Sequence, residues 1–459
     1  MLAVLHFIQE ILSTPAIFVG LLALLGLLLQ KKDAQSCVKG TIKTILGFVV
    51  LNAGAGVVQQ AIIPFGDLFQ IAFHVEGVVP NNEAITSLGL TDFAVQTASI
   101  FALGMVFNIL LARFSKLKYI FLTGHHALYM SCLIAIIMTV NGLSGVKLII
   151  TGALLLGLVM AVFPALMQPV MEEVTGDDSL ALGHFGSGCY WLSAQIGKLF
   201  RKKENMVTTE DINFPQSLSF LRENTISIAI AMFICDVPVS VIASIKDTAA
   251  ASAIFGGQNW FIYSVISSIT FSAGIYIVLA GVRMLINEIV PAFKGISEKL
   301  VPNAKPALDC PIVFPFAPNA VLIGFLSSFI GGIVAMLVLA LMGHAGIAVA
   351  IILPGAVLHF FCGATAGVCG NATGGLKGCI AGAFVHGIVA TFLAAGLFPV
   401  LGSLGFANTT FSDTDFTLVG IVFGNLSKVV SSNVFMVIVV VLYLLPVLYN
   451  YTLGRKKAA

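Results

Sequence analysis

The sequence predicts an all-α membrane protein with about eleven transmembrane helices and, in addition, re-entrant or broken helices. Three observations predict this fold class. Hydrophobic residues fill 58% of the 459 positions and charged residues only 10%, against about 25% charged residues in a typical soluble domain. Apolar segments long enough to cross a bilayer recur along the whole chain. Clusters of lysine and arginine separate these segments, as in multi-pass membrane proteins.

The apolar segments are the predicted spans. They lie at 12–30, 44–63, 93–112, 119–141, 148–167, 224–245, 259–289, 316–341, 346–366, 378–401 and 432–453. No basic residue precedes the first segment, since the first lysine is Lys31, so we expect a spanning helix there and not a cleavable signal peptide. Two glycine-rich stretches, 180–197 and 415–430, are too interrupted for simple spans and indicate re-entrant hairpins or broken helices.

The basic residues predict the orientation in the membrane. Most of them lie in five clusters: Lys31, Lys32, Lys39 and Lys43; Arg113, Lys116 and Lys118; Lys198, Arg201, Lys202 and Lys203; Lys294, Lys299 and Lys305; and Arg455, Lys456 and Lys457. The connections near 63–91, 247–258 and 402–417 contain no lysine or arginine. By the positive-inside rule the clusters are cytoplasmic, so we expect the N-terminus outside and the C-terminus in the cytoplasm. That orientation needs an odd number of spans, which eleven satisfies.

The longest hydrophilic stretch, 198–223, is the predicted cytoplasmic linker between two halves. We expect a first repeat of about five spans and a hairpin at 1–197, and a second repeat at 224–431. The last span and a cytoplasmic tail then occupy 432–459. Five spans and a linker place the second repeat in the opposite orientation, which is typical of transporters built from inverted repeats.

Two short similarities support the repeats. FALGMVFNILLARF at 101–114 shares five of fourteen positions with FAPNAVLIGFLSSF at 316–329, and Leu-Thr-Gly at 122–124 is echoed by Leu-Pro-Gly at 353–355. Chance similarity between apolar segments is the alternative, because membrane sequences of low complexity align easily.

The most informative polar group lies inside an apolar span. No charged residue stands between Lys118 and Lys147, yet this stretch contains His125 and His126. Imidazoles at membrane depth are costly unless they face a cavity or other protein. His125 shares a helix face with Tyr129, four residues on, and both side chains can donate and accept hydrogen bonds, which suits a ligand with several hydroxyls. His126 points to a different face, and histidines bonded to a neighbouring carbonyl are the alternative for both.

Three further groups are candidates for a polar site. His184 and Phe185 lie in Gly-His-Phe-Gly-Ser-Gly at 183–188, where glycines permit a tight turn that grips a ring; a packed turn is the alternative. Asp309 precedes a proline-rich, extended stretch and offers a carboxylate to hydroxyls; an ordinary helix cap is the alternative. Asn82 and Glu83 lie in the connection after the second span, where a solvated loop is the alternative.

Other sequence signals exclude some functions. The net charge of +2 gives no indication of a nucleic-acid partner. No phosphate-binding loop, nucleophile elbow or HExxH motif is present, so we expect no ATP binding, no catalytic residue, no cofactor and no metal. The eight cysteines show no metal-ligand spacing with histidines and are expected to be buried thiols.

Several blocks together resemble the ascorbate-specific EIIC membrane component of the bacterial phosphotransferase system, within the ascorbate/galactitol-type EIIC superfamily. They are KGTIKTILGFVVLNAGAGVV (39–58), LTGH (122–125), GH (183–184), GVRM (281–284), AFKGIS (292–297) and DC with FAPNAV (309–321). The resemblance implies eleven transmembrane segments in two inverted repeats, which form a core domain and a domain that mediates homodimer contact. It also implies a multi-pass protein of the bacterial cytoplasmic (inner) membrane.

The same resemblance implies a mechanism. The sugar lies between the two domains, the core moves across the membrane like an elevator, and a cytoplasmic EIIB carrying phosphate on a cysteine phosphorylates the sugar. EIIB receives the phosphate from EIIA and ultimately from phosphoenolpyruvate. The chain is therefore expected to be no enzyme on its own but the transport subunit of a sugar phosphotransferase complex.

The resemblance maps the family's binding residues onto this chain. His125, His184 and Asp309 match the family's binding histidines and aspartate. The chain departs from the family at Asn82 and Glu83, where Thr-Tyr is expected, and at Tyr129 and Phe185, where glutamines are expected. Glu83 beside the ascorbate anion is repulsive unless it is protonated or turned away. Another pentitol or sugar acid is therefore the nearest alternative substrate.

Two other classes of protein remain as alternatives. In an ion-coupled secondary transporter, Asp309 and the histidines would form a proton relay, and the sugar would arrive unmodified. An intramembrane enzyme would need a nucleophile or a metal set, which the sequence does not show.

Overall fold

A computed structural model describes residues 15–74, 77–201, 206–212, 220, 223–287, 300–401 and 409–452. Within these residues the protein is predominantly helical, and eight helices are long and apolar enough to cross a membrane. The prediction of an all-α membrane protein is therefore confirmed, while the count of eleven spans stays a prediction. Several of the basic residues used for the orientation lie outside the described residues: Lys202, Lys203, Lys294, Lys299, Arg455, Lys456 and Lys457.

The helices of the described chain are numbered in order. They are α1 (Pro15–Leu29), α2 (Ala34–Phe73), α3 (Asn82–Phe114), α4 (Gly124–Val140), α5 (Gly145–Thr175), α6 (Ser187–Leu199), α7 (Asn224–Lys246), α8 (Thr248–Ile254), α9 (Trp260–Ile286), α10 (Pro318–His344), α11 (Ala356–Leu358), α12 (Ala364–Leu397), α13 (Thr414–Val429) and α14 (Ser432–Thr452). A π-helical turn, His359–Gly363, joins α11 to α12, and short 3₁₀ turns occupy Thr209–Asp211, Cys310–Phe316 and Phe398–Val400.

In the described part of the chain, six short strands, which the sequence did not predict, lie between the helices. They are β1 (Gly77–Pro80), β2 (Tyr119–Phe121), β3 (Ala181–Leu182), β4 (Lys305–Leu308), β5 (Ile351–Ile352) and β6 (Thr409–Thr410). They form two three-stranded parallel sheets in the orders β5-β1-β6 and β2-β4-β3. Non-helical backbone inside a membrane protein must bond to other protein groups, and these pairings satisfy it.

The two halves of the chain follow the same order of elements. The first half contains, in order, β1, α3, β2, α4, α5, β3 and α6. The corresponding elements of the second half are β4, α10, β5, α11 with α12, β6 and α13. The hairpin α4–α5 has its counterpart in α12, which is broken at Gly374 and Gly375, where the φ of Gly375 is +61°. Each sheet takes its central strand from one half and both edge strands from the other.

This order supports our proposal that the halves are inverted repeats. Leu-Thr-Gly at 122–124 follows β2, and Leu-Pro-Gly at 353–355 follows β5, so the two motifs occupy equivalent positions. The alignment of 101–114 with 316–329 is wrong in register, because the first stretch ends α3 whereas the second begins α10.

One group of helices packs around α2 and α9. A β-carbon at Gly54 of α2 would lie 2.6 Å from the backbone nitrogen of Val278 in α9, and one at Gly281 would lie 2.4 Å from that of Leu51. These glycines let the two backbones touch, as small residues do between membrane helices. α1 and α7 pack against α2, and α7 also packs against α9.

A second group of helices surrounds the two sheets. α10 and α12 approach closely, since a β-carbon at Gly387 would lie 2.0 Å from the carbonyl oxygen of Ser328. α6 packs against α12, and α3 packs against α5. The ends of the strands lie where this second group faces α9.

Part of the predicted linker is fastened to the second group. In segment 206–212, a Glu210 carboxylate oxygen accepts the backbone N–H of Asn319 at the start of α10, at 2.8 Å. The backbone N–H of Leu376, just after the break in α12, donates to the carbonyl of Val207 at 2.9 Å. The segment therefore bridges the start of α10 and the broken tip of α12.

Candidate functional site

A cavity of about 280 Å³ lies where the carboxyl ends of the strands of both sheets meet α9. This volume is close to the lower end of small-molecule sites in proteins, roughly 300 Å³. Its walls carry mostly polar side chains and a few apolar ones: Asn82, Glu83, His125, His126, His184, Leu279, Arg283, Asp309, Cys310, Pro311, Val357, Phe361, Cys362 and Asp413.

The two groups of helices contribute different walls. α9 contributes Leu279 and Arg283, which lie one helical turn apart on one face. The remaining lining residues belong to the strand ends and to the helices that follow them. The cavity is therefore an interface between the two groups and not a pocket within either.

Asn82 ties the start of α3 to the segment after β6. Its amide nitrogen donates to the Asp413 carboxylate at 2.6 Å, and its amide oxygen accepts the backbone N–H of Ser412 at 2.8 Å. Parallel pairing of β1 with β6 brings these residues together across more than 300 positions of sequence. Asn82 lines the cavity chiefly as the clamp that holds Asp413 in place.

Asp413 and Glu83 are buried carboxyl groups in this wall. One Asp413 oxygen accepts from Asn82 and from the Ser412 hydroxyl, the latter at 2.8 Å. The other oxygen is turned to the histidines. Glu83 is only 6% exposed, and its Oε2 has no hydrogen-bond partner among the described residues.

His125 and Asp309 form the more open side of the cavity. The Nε2 atom of His125 lies 3.5 Å from an Asp309 oxygen, and these side chains are 23% and 39% exposed. Asp309 also caps the 3₁₀ turn that follows it, because its carboxylate accepts the backbone N–H of Cys310 at 2.7 Å. Asp309 therefore caps the 3₁₀ turn and also lines the cavity.

His126 also faces the cavity, although helical geometry turns it to a different face from His125. Its Nδ1 accepts the backbone N–H of Phe185 at 3.3 Å, so the ring hydrogen is on Nε2. That Nε2 lies 3.9 Å from Asp413. The first turn of α4 therefore presents both histidines, because the cavity wraps around the start of the helix.

His184 lies between the two aspartates. Its Nε2 is 3.9 Å from Asp309 and 4.0 Å from Asp413, and its ring centroid is 3.8 Å from that of His126. Its Nδ1 lies 2.9 Å from the hydroxyl of Tyr190 in α6. The glycine before it is needed for close approach, since a β-carbon at Gly183 would lie 2.5 Å from the carbonyl oxygen of Ala307 in β4.

The separations inside the cavity suit hydroxyl groups. Nitrogen and oxygen atoms 3.9–4.0 Å apart are too distant to bond directly, but both can lie about 2.8 Å from one oxygen placed between them. A hydroxyl donates one hydrogen bond and accepts others, so it can bridge an imidazole N–H and a carboxylate. The site can therefore desolvate a polyhydroxylated molecule and replace its bonds to water.

Comparison with known proteins identifies the family. The model of EIIC-GAT, the PTS system sugar-specific permease component, matches residues 10–415. The chain belongs to the EIIC-GAT family. It is also similar to a protein of Mycoplasma pneumoniae (strain ATCC 29342 / M129 / Subtype 1) named "Ascorbate-specific PTS system EIIC component", with 26% identity over 419 residues. That match covers 81% of this chain, and the chain spans 63% of the length of the relative.

Two predicted site residues lie behind the walls of this EIIC-GAT cavity. Phe185 is fully buried and stacks on Phe121, with ring centroids 4.8 Å apart. Tyr129 is also buried, with its ring centroid 5.8 Å from that of His125, and its hydroxyl has no partner among the described residues. Both rings pack against the histidines on the side away from the cavity. The backbone N–H of Phe185 also donates to His126.

The cavity of the EIIC-GAT chain includes residues that sequence reasoning missed. Asp413 lies in the predicted connection near 402–417, and Arg283 lies near the end of a predicted span. Both line the cavity, although neither was among the predicted site residues. Arg283 had a usable signal, since it stands within the GVRM block. Asp413 had none, because the short pairing of β1 with β6 that brings it to the site has no clear sequence signature.

Among the described residues of this EIIC-GAT chain, three clusters of side chains have the proximity of metal ligands. His126 belongs to two of them, with His125 and Asp309 and with His184 and Asp413, and the third combines His184, Asp309 and Cys310. A metal needs the lone pair of a ring nitrogen. Because Phe185 donates to Nδ1 of His126, Nε2 of this residue carries hydrogen. The clusters that contain His126 therefore offer an N–H donor and do not fit a metal ion.

Proposed function

We propose that this protein is the membrane permease (EIIC) of a phosphotransferase system, and that it carries L-ascorbate across the cytoplasmic membrane. Membership of the EIIC-GAT family supports the permease, and the printed name of the Mycoplasma relative supports the substrate. The observation that carries the proposal is the set of imidazole N–H groups and carboxylate oxygens spaced for bridging hydroxyls.

Transport by an elevator-type movement fits the position of the cavity. Leu279 and Arg283 stand on α9, while the other lining residues belong to the helices around the sheets. If the second group slides along α9, the sugar travels with Asp309, Asp413 and the histidines and leaves the α9 wall behind. The proposal places the moving core in the second group and the homodimer contact in the first.

The chemistry belongs to cytoplasmic partners. EIIB, which carries phosphate on a cysteine, transfers the phosphoryl group to a sugar hydroxyl, and EIIA recharges EIIB with phosphate from phosphoenolpyruvate. The EIIC chain holds the sugar and presents the hydroxyl, so it has no catalytic residue of its own. Phosphorylation adds charge to the product, which then fits the partly apolar cavity poorly.

An uncharged pentitol is the second candidate substrate. Three carboxyl groups, Glu83, Asp309 and Asp413, line the cavity, and Arg283 is its single arginine or lysine among the described residues. Carboxylates accept hydrogen bonds from hydroxyls and repel anions. This balance of charge favours a neutral polyol over the ascorbate anion.

A binding screen tests the function. Purified full-length protein is titrated with L-ascorbate, xylitol and a sugar acid, and uptake is measured in vesicles with and without EIIA, EIIB and phosphoenolpyruvate. We expect binding of one of these sugars and uptake of a phosphorylated product only with the complete system. Unmodified sugar accumulating without the partners would establish an ion-coupled transporter instead.

Asp309→Asn provides the matched variant for this screen. It keeps the size of the side chain but weakens acceptance from hydroxyls, so affinity should fall roughly tenfold. Asp177→Asn is the control, because Asp177 is exposed and bonds only locally, to Ser179 and its neighbours. Equal affinity of both variants would remove Asp309 from the site.

A further inference from the structure

Behind His184 lies a buried tyrosine whose hydroxyl touches the imidazole. Tyr190 stands in the second turn of α6, its side chain is fully buried, and its oxygen lies 2.9 Å from His184 Nδ1. Tyr190 does not line the cavity. It can therefore affect a ligand only through His184.

Gly186 makes room for this hydroxyl. A β-carbon at position 186 would lie 2.3 Å from the Tyr190 oxygen and 2.5 Å from the ring carbon that bears it. These distances are shorter than any real contact of a β-carbon, so a larger residue would displace the hydroxyl. The Gly-His-Phe-Gly sequence thus encodes a space for Tyr190 as well as a turn.

The tyrosine hydroxyl has one hydrogen to place. Its neighbours are the ring nitrogen of His184 and the thiol of Cys362. An imidazole nitrogen is a good acceptor, whereas sulfur is a weak one. The hydroxyl therefore donates to Nδ1, and the ring hydrogen of neutral His184 is on Nε2.

The surroundings of Nε2 lead independently to the same tautomer. This atom lies 3.9 Å from Asp309 and 4.0 Å from Asp413. An N–H at this point faces two acceptors, while a lone pair would face two carboxyl groups that also present lone pairs. The hydrogen on Nε2 thus satisfies both the tyrosine and the aspartates.

Three further buried polar side chains, His386, Ser328 and His359, lie behind the tyrosine ring and form a connected set with it. His386 of α12 stacks against Tyr190, with ring centroids 6.2 Å apart and planes inclined by 27°. The Ser328 hydroxyl of α10 lies 2.9 Å from Nδ1 of His386 and 2.8 Å from Nδ1 of His359. All four side chains are fully buried. Their contacts connect α6, α10 and α12 and restrict the movement of the Tyr190 ring.

We propose that Tyr190 is a positioning residue for the sugar site, which holds His184 as an Nε2–H donor aimed between Asp309 and Asp413. The proposal rests on the proposed function, because it concerns the same cavity. Without the hydroxyl, His184 can carry its hydrogen on Nδ1 and turn a lone pair toward the two aspartates. A sugar hydroxyl would then lose its donor.

Tyr190→Phe tests the proposal with little change in shape. Labelled L-ascorbate and labelled xylitol are the probes, titrated against full-length protein in detergent. We expect affinity for the sugar that binds to fall roughly 3- to 10-fold, the range for one lost hydrogen bond. Tyr443→Phe is the matched control, since this hydroxyl donates to the Phe107 carbonyl at 2.7 Å, away from the cavity. Unchanged affinity of Tyr190→Phe would overturn the proposal.

A double-mutant cycle separates positioning from a merely structural role. If Tyr190 acts through His184, Tyr190→Phe should have almost no further effect on affinity when His184→Gln is already present. Additive losses in the double variant would show that the tyrosine supports the fold and not the imidazole.

A measurement without sugar keeps the two proposals apart. Diethyl pyrocarbonate reacts with the lone pair of a neutral imidazole, and mass spectrometry of peptides gives the rate at His184. Tyr190→Phe lets the ring hydrogen move to Nδ1 and leaves the lone pair on Nε2, which faces the cavity. Labelling of His184 should therefore become several-fold faster, while Tyr443→Phe leaves it unchanged. Equal rates would overturn the role of Tyr190. Failure of the unchanged protein to bind either sugar would instead count against the proposed function, and the labelling rates would still decide the tautomer.

Discussion

The three carboxyl groups in the cavity differ in their hydrogen bonds and in their exposure to solvent. Asp413 has one oxygen fixed by Asn82 and Ser412 and the other turned to the histidines. Asp309 is the most open of the three and caps the turn that follows it. Glu83 is buried with one oxygen unpartnered among the described residues. Glu83 is therefore the group whose charge is least compensated by its neighbours.

Glu83→Gln should change the preference between charged and neutral sugars. The amide removes a negative charge from the cavity wall, so affinity for the L-ascorbate anion should rise by a factor of about ten or more, since charges in partly buried sites interact by ~1–4 kcal/mol. Affinity for xylitol, which is uncharged, should change much less. The measurement is the ratio of the two dissociation constants, by calorimetry on the purified variant.

The same ratio provides the control for this prediction. Glu223→Gln alters a glutamate at the start of α7, outside the cavity, and should leave the ratio as in the unchanged protein. If Glu83→Gln also leaves the ratio of dissociation constants unchanged, the charge at position 83 does not affect binding of the substrate.

The sequence could predict His125, His184 and Asp309 better than Asp413. His125 and His184 stand out because polar residues inside apolar stretches are costly, and the resemblance marked both. Asp413 lies in a predicted connection, and the pairing of β1 with β6, Val79 with Thr409 and Pro80 with Thr410, brings it to the cavity. The contribution of a residue such as Asp413 depends on contacts across the whole chain, which no local pattern encodes.

At the scale of elements, the strands were missed because they are too short to show a period. The described strands have two to four residues, whereas alternation becomes recognisable over four to eight. Most long helices were predicted, since apolar length alone identifies them. The span predicted at 346–366 is wrong, because that stretch contains β5, α11 and the π-helical turn and only the first residues of α12. Of the two glycine-rich stretches, 180–197 is interrupted as expected, because it contains β3 and most of α6. The expectation for 415–430 is wrong, because this stretch lies almost entirely within the continuous helix α13.

Glu210 shows how one element holds another. Its carboxylate accepts backbone N–H groups at the first turn of α10, where those groups have no partner within the helix. Glu210→Ala should therefore destabilise the protein by about 1 kcal/mol, the usual cost of losing a helix cap, with a lower thermal midpoint in detergent. Sugar affinity should stay nearly constant, because Glu210 lies outside the cavity wall.

Glu223→Ala is the matched control for the cap. Glu223 also stands at the start of a helix, but its side chain accepts no backbone N–H of α7. We expect a smaller loss of stability than at Glu210. Equal thermal midpoints for the two variants would show that the bridge from segment 206–212 to α10 contributes nothing measurable.

At the scale of the whole molecule, the repeated order of elements explains why one cavity receives residues from both halves. Each sheet combines strands of both halves, and all pairings are parallel, so the strand ends of each sheet point the same way. If the halves are inverted, the two sets of strand ends meet from opposite sides of the membrane. The site then lies near mid-membrane, where transporters of this kind bind their substrates.

The inverted arrangement makes a prediction about the two faces of the protein. Ser179 lies next to Asp178, which pairs with Lys305, so it belongs to the basic edge predicted to be cytoplasmic. Ser252 lies in α8, within a connection free of lysine and arginine and predicted to be external. Both serines are exposed, whereas seven of the eight native cysteines are buried and Cys235 is partly buried. Cysteines introduced at the two serines therefore report on the two faces.

A membrane-impermeant maleimide applied to intact cells should label Ser252→Cys and not Ser179→Cys. After permeabilisation both should react, because both side chains are exposed to solvent. The unchanged protein is the control and should react slowly in either case, since its thiols are covered. Labelling of Ser179→Cys in intact cells would contradict the predicted orientation and the proposal that EIIB reaches the sugar from that side. Labelling of both serine positions from outside would place the two connections on one face, which contradicts the predicted orientation.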